Sequence, residues 1–206
     1  MTVVKNNNFS ESLQILKDVI EPNKTLVLDV ETNGLDSYNN NQICGIGVGE
    51  PQSGGLLQYY PFRHHQGENL SPIYLTELIA YLNSLDTFIG YNIKFDLHFL
   101  EKEGLETLNK KLVDVIVMVR LVEHSDTREL ALTPTGERRF GLEAVQYDKD
   151  TKKELRANKW NKDFSMAPVD FLGEYCKKDV GLTAMLYEEV LKEIKDTHQE
   201  DIFDLE

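Results

Sequence analysis

The sequence predicts a mixed α/β domain built on a five-stranded sheet, and three observations predict it. Five apolar runs of strand length are bounded by turn residues. The first three are joined by short connections that make them antiparallel, and the later ones alternate with helical patterns as parallel crossovers do. A length of 206 residues fits one domain with a sizeable core, so a single domain over residues 1–206 is expected, with an N-terminal helical segment within residues 1–22 and an acidic tail over residues 197–206.

In chain order, Phe9, Leu13, Leu16 and Ile20 recur at helical spacing and predict a helix over residues 9–20, with Ser10 as its cap and Pro22 and Asn23 ending it. Leu26, Val27 and Leu28 then open the strand around which the rest is arranged, and Asn33-Gly34 closes it. Residues 42–49 and 56–60 read as two further strands joined by the hairpin signal PQSGG. The GIGVG run at 45–49 is not a dinucleotide loop, because that fingerprint needs a glycine where Glu50 stands; alternating glycines on one strand face instead let a helix come close. Ser71-Pro72 begins a helix through Leu82, residues 87–90 form a short buried strand, and Phe95, Phe99 and Leu100 mark a helix that ends at Gly104. A last strand near Leu112 and Val113 leads into a helical run over residues 114–123. Residues 124–139 are polar and carry Pro134 and Gly136, which predicts a loop; residues 140–147 predict a short helix and residues 148–162 a basic loop with Trp160. Pro168 and Asp170 open a long final helix reaching about Asp196.

Composition excludes several classes. The net charge of −13 has the wrong sign for holding nucleic acid over a long footprint, so any grip on it must be short, bridged by metal, or supplied by another domain. No apolar run approaches the ~18 residues of a membrane helix, and the N-terminal MTVVKNNNFS lacks the apolar core of a signal peptide. Cys44 and Cys176 lie far apart without CxxC spacing, which suits a reducing cytoplasm and small core positions. No phosphate loop of the G-x-x-x-x-G-K-[ST] kind occurs, and His64, His65, His98, His124 and His198 show no metal-ligand spacing.

What remains is a set of acids. Asp29 and Glu31 are two residues apart in a strand and therefore share one face, where two like charges repel unless a cation joins them. Carboxylates suit hard ions such as Mg²⁺ or Mn²⁺. Asp96 stands one turn into the helix after the strand at 87–90, with Asn92 four residues before it, and the inferred sheet order brings that strand beside the first. Tyr175 and Asp179 stand at i and i+4 on one face of the final helix. Taken one at a time these are a dipole partner and an ordinary hydrogen-bonded pair.

As an ordered set, D-V-E-T, N-I-K-F-D and Y-C-K-K-D resemble the three exonuclease motifs of the DEDD superfamily in its tyrosine-bearing branch. Over roughly residues 23–202 the chain is most similar to the 3′-to-5′ proofreading exonuclease domain of family A, polymerase I-like, DNA polymerases. The resemblance implies an RNase H-like fold, a mixed five-stranded sheet with helices on both faces, and a two-metal hydrolysis that releases 5′-mononucleotides from single-stranded or frayed 3′ ends of DNA. It implies that Asp29 bridges two divalent ions, that Glu31 and Asp179 complete the tighter site, and that Asp96 holds the second ion, mostly through water. Mg²⁺ or Mn²⁺ is expected, with Zn²⁺ a further candidate for the tighter site. Tyr175 would orient the attacking water together with Glu31. Leu35 matches the position that wedges against terminal bases, and Thr32 and Asn92 those that contact the 3′-terminal nucleotide, while Phe95 offers a stacking face. A turn-packing leucine, two turn-capping polar residues and a core phenylalanine are their alternatives. The same resemblance implies a monomer working on a single-stranded DNA 3′ end, a polymerase domain in the same polypeptide beyond the acidic tail, no membrane partner, and a cytoplasmic setting in a bacterium or a phage-infected host. A free-standing exonuclease of the ribonuclease D or Werner type, on RNA or DNA, shares every catalytic residue; a silent structural module does not explain why repelling acids are kept.

Overall fold

Among the described residues six strands, β1 (Thr2–Val3), β2 (Thr25–Thr32), β3 (Ile43–Gly49), β4 (Leu57–Pro61), β5 (Thr87–Gly90) and β6 (Lys111–Asp114), form one sheet in the order β1-β4-β3-β2-β5-β6. The structure, a computed structural model, describes residues 2–123 and 129–199. β2, β3 and β4 are antiparallel neighbours, whereas β5 runs parallel to β2 and β6 parallel to β5, the mixed arrangement expected of hairpins followed by helical crossovers. The sixth strand corrects the expected five. β1 is only two residues long and pairs parallel with β4, too short to leave a periodic pattern.

The strand period of two sorts β2 between two cores. Leu26, Leu28 and Val30 face a cluster closed by α1 (Phe9–Ile20), α2 (Pro72–Leu82) and α3 (Ile93–Lys102). Val27 faces the other, shared with α4 (Val115–Val122), α5 (Leu132–Phe140), α6 (Leu142–Ala157) and α7 (Val169–Asp196), so helices cover both faces. Asp29 and Glu31 follow Val27 toward the α7 side. α7 comes close because Gly47, the cross-strand partner of Asp29, has no side chain: a Cβ there would stand 2.5 Å from Cys176 Sγ and 3.0 Å from Val180 Cγ2. Gly47→Ala is therefore expected to lower stability by about 1–3 kcal/mol through overpacking, read as a fall in thermal midpoint; an unchanged midpoint would show that α7 does not press on β3.

Three local expectations are corrected. Ser10 lies inside α1, and the cap position belongs to Asn8, whose side-chain oxygen accepts from the Lys5 N–H at 2.7 Å. Within residues 124–139, the part from Leu132 is helical. Pro134 falls in the first turn of α5, where its missing N–H costs nothing, and Gly136 is a contact point, since a Cβ there would stand 2.9 Å from Leu182. The helix expected over 140–147 starts instead after Gly141, at φ 85°, and continues through the basic run as α6 to Ala157. Its polar sequence hid it, because only Val145 and Leu155 among its apolar residues are fully buried. His124 lies outside the described residues, as does the acidic tail from residue 200.

Candidate active site

The end of β2 presents Asp29, half-buried, and Glu31, 4 % exposed, on the face toward α7. The register shifts between Glu31 and Thr32, and the chain leaves the sheet in a turn. Thr32 is buried and its hydroxyl donates to the Gly34 carbonyl at 2.7 Å, while Leu35 stands 86 % exposed. Thr32, Gly34 and Leu35 border a recess of about 230 Å³ whose far wall is Asn161, Lys162 and Phe164.

Asp96 joins this strand end for a topological reason. β5 pairs with β2 only as far as Val27, so the Val30 N–H has no strand opposite it on that side, and Asp96 Oδ1 accepts it at 3.0 Å. Asn92 begins α3 in the left-handed region, φ 61°, which Asn tolerates better than most residues, and its N–H donates to Asp114 Oδ1 at 2.8 Å. Asp114 also accepts from Ile116 N–H at 3.1 Å as the cap of α4, so one carboxylate fixes the start of both helices. Asn92 is exposed. Phe95 is half-buried against Phe99, ring centroids 5.1 Å apart.

From the α7 side come Tyr175, Cys176 and Asp179. The Cys176 thiol donates to Asp29 Oδ2 at 3.3 Å, and one ligand atom each from Asp29, Glu31 and Cys176 lie within 4.8 Å of one another. Tyr147 and Asp148, adjacent in α6, meet the two functional candidates of α7: the Tyr147 hydroxyl donates to Asp179 Oδ1 at 2.6 Å, and the Tyr175 hydroxyl donates to Asp148 Oδ1 at 3.0 Å. Lys152 reaches Asp148 Oδ2 at 2.8 Å. Neither Tyr147 nor Asp148 was among the residues read from sequence. The clue was available only as a spacing, Val145, Asp148 and Leu155 on one face of a helix that the polar run concealed.

The four acids sense one another. Burial raises each of them first. Glu31 is pushed further by Asp29, Asp179 and Asp96, and Asp96 by Asp29 despite the bond from Val30. Asp29 rises to about 7, with the Cys176 thiol opposing the rise, and Asp179 to about 8, with Asp29 adding to burial and Tyr147 opposing it. No salt bridge among the described residues brings Lys or Arg to any of the four. Mutually repelling, largely buried, oxygen-rich and without a paired Lys or Arg among the described residues, the cluster fits hard divalent ions; the single nearby sulfur is held protonated, since burial and Asp29 push the Cys176 thiol up. Tyr175 is held neutral by burial and by the charges of Asp179, Glu31 and Asp148.

Several of the remaining polar and aromatic residues have partners within the fold. Trp160 is half-buried and packs edge-on against Phe171 at 6.0 Å. His64 is pinned between the Tyr59 hydroxyl at 2.8 Å and the Ala167 carbonyl at 3.0 Å. Lys149 and Lys152 in the basic run are paired with Glu137 and Asp148. No helix among the described residues is long and apolar enough to cross a membrane.

Comparison with known proteins agrees with this fold. Residues 26–191 match the RNase_H superfamily. The chain is 30% identical over 169 residues to DNA polymerase I of Synechocystis sp., covering 81% of this chain and 16% of that one. It is 24% identical over 208 residues to DNA polymerase DpoZ of Salmonella phage PMBT28, covering 87% of this chain and 28% of that one. The chain thus spans under a third of either relative. Among solved structures, S. pombe Pop2p in its Mg²⁺- and Mn²⁺-bound form superposes with a TM-score of 0.56 at 14% identity, covering 91% of this chain and 90% of that one, a likeness of fold.

Proposed function

The chain belongs to the RNase H superfamily, and from that premise we propose that it is a metal-dependent 3′-to-5′ DNA exonuclease of the proofreading kind, releasing 5′-mononucleotides. One observation supports the reading: Asp29 and Glu31 stand side by side at the end of β2, Asp96 accepts from the Val30 N–H between them, the charge of Asp29 reaches Glu31, Asp96 and Asp179, and no Lys or Arg among the described residues is paired with any of the four. The likeness to two DNA polymerases supports DNA as substrate and a place beside a polymerase domain in one polypeptide.

Asp29, Glu31 and Asp179 would hold one divalent ion, and Asp29 with Asp96 a second, Mg²⁺ or Mn²⁺ by the hardness of their oxygens. When bound, such ions supply positive charge to the phosphate and make water a usable nucleophile at neutral pH. The protein's own groups do the rest. Glu31 and Tyr175 orient the attacking water, and Tyr175, neutral, positions it rather than taking its proton. Leu35, exposed at the turn, stacks against the terminal base beside the recess that it shares with Asn161, Lys162 and Phe164. Asn92 meets the terminal nucleotide with its exposed side chain, whereas Thr32 can do so only through the hydroxyl that now serves Gly34. The half-buried ring of Phe95 would meet the same end. The acidic surface makes for weak grip on the isolated domain, so the terminus and not a long duplex is what it holds.

Single strands labelled at the 3′ or the 5′ end, incubated with Mg²⁺ or with EDTA, are expected to lose the 3′ label first as mononucleotide, and only with Mg²⁺. Parallel RNA strands decide the sugar, DNA being the faster, and a mismatched primer end is trimmed faster than a paired one because unpairing costs less there. Shortening from the 5′ end, or at an equal rate in EDTA, overturns the proposal.

A further inference from the structure

We propose that Asp148 is a positioning residue for Tyr175, fixing the direction of its hydroxyl proton so that the phenol oxygen faces the acid cluster as a hydrogen-bond acceptor. The inference rests on the hydrolytic reading of the site given above. A phenol has one proton to donate. Two carboxylates are placed to draw it from Tyr175: Asp148, at 3.0 Å, and Asp179, one turn on along α7. Asp179 Oδ1 already receives the proton of Tyr147 at 2.6 Å, and although Asp179 stays within reach of Tyr175, the Tyr175 hydroxyl is directed to Asp148 Oδ1. The rings of Tyr147 and Tyr175 stand 6.1 Å apart, so the two phenols act side by side, each with its own acceptor.

Asp148 is also out of place as a merely structural residue. It is 2 % exposed on a helix most of whose neighbouring residues face solvent, and an apolar side chain would fill that position without a buried charge. Both of its oxygens are in use, Oδ1 by Tyr175 and Oδ2 by Lys152, so the acceptor cannot swing away. With its proton committed there, Tyr175 presents only lone pairs to the cluster. A water between it and the phosphate must then point a hydrogen at Tyr175, which turns a water lone pair toward phosphorus. Without Asp148 the same hydroxyl would be shared between Asp179 and the water, and each time it donated to the water it would turn that lone pair away.

The test is a double-mutant cycle on strand shortening, in Mg²⁺, with kcat and KM measured separately. Asp148→Ala is expected to lower kcat about tenfold with KM within roughly twofold, the size of other losses of a supporting hydrogen bond. Asp148→Asn, whose amide oxygen still accepts from Tyr175, is expected to recover most of that loss. In a Tyr175→Phe background, where no proton remains to be directed, Asp148→Ala is expected to change kcat by less than about twofold. Should the alanine variant fail to fold, Asp148→Leu, which fills the buried position, carries the same three expectations. A full loss persisting in the Tyr175→Phe background, a loss confined to KM, or no recovery with Asn each overturns the inference. Failure of the wild-type protein to shorten any strand overturns instead the exonuclease reading beneath it.

Discussion

Asp29→Ala is expected to lower the rate of strand shortening by on the order of 10³ or more, the loss seen when a central electrostatic contact to a reacting phosphate or carbonyl is removed, and at the same time to raise the melting temperature of the metal-free protein. Both effects come from one position. The charge of Asp29 raises Glu31, Asp96 and Asp179, and Asp29 is the acid that both proposed ions would share. Its backbone pairing with Gly47 does not depend on the side chain, and alanine fits under Cys176, so the sheet should be unaltered. At about pH 8, above the value of about 7 to which burial raises Asp29, the carboxylate is charged in the folded protein and repels its neighbours. Removing it should stabilise the metal-free fold by about 1–3 kcal/mol, as replacements of buried charges commonly do, less the share screened by the partial exposure of Asp29. For a domain of this size that is several degrees of melting temperature. Thermal melts in EDTA at about pH 8, beside the end-label assay, check the pair. Wild-type cleavage by Asp29→Ala removes the proposed site; lost cleavage with a lower melting temperature would mean that Asp29 supports the fold.

The sheet centre was legible because its strands are short, apolar and punctuated, and because β5 follows α2 at once and pairs beside β2. The proposal that Asp29, Glu31, Asp96 and Asp179 act together came from that order plus three motifs. Substrate contacts were legible only as positions: Leu35 is exposed as a wedge would be, but Thr32 spends its hydroxyl on Gly34, and the sequence had no means of showing that. Residues 132–139 were misread because Pro134 and Gly136 ordinarily break helices, yet here one sits in a first turn and the other at a contact with Leu182. With α6 ended at Tyr147, its inward Asp148 looked like one more charge in a basic loop. Tyr147 stood at the end of a helix drawn too short. The contact of Cys176 with Asp29 escaped for a different reason, since a thiol in an apolar helix face reads as core until the strand opposite it is known to carry an acid.

Raising the pH from about 7 to about 8 is expected to destabilise the metal-free protein, and adding Mn²⁺ to abolish that dependence. In the folded protein burial lifts Asp29 to about 7 and Asp179 to about 8, and lifts Glu31 and Asp96 well above the ordinary carboxylate range. The unfolded chain releases these protons near pH 4, so between pH 4 and the folded values the native state holds more protons than the unfolded one. Stability must then fall as pH rises, and level off only above the folded values. A tenfold difference in proton affinity between the folded and the unfolded chain is worth about 1.4 kcal/mol for a fully buried group, so several coupled acids amount to a few kcal/mol, a large share of an ordinary domain's stability. Other groups leave the upper part of the window clear. His64, lowered by burial, makes stability rise with pH only below its ordinary 6.5, and Glu123, lowered by Arg138 and Arg139 against the opposing effect of its burial, acts only below the ordinary carboxylate value. Ions compete with protons for the same oxygens, so metal affinity should tighten over this interval and the stabilisation by Mn²⁺ should be largest at the alkaline end. Urea midpoints at about pH 7 and about pH 8, in EDTA and in millimolar MnCl₂, measure it. A midpoint that is flat or rising in EDTA would mean that the four carboxylates do not strain the fold, and the argument for ions as their natural partners would lose its physical basis.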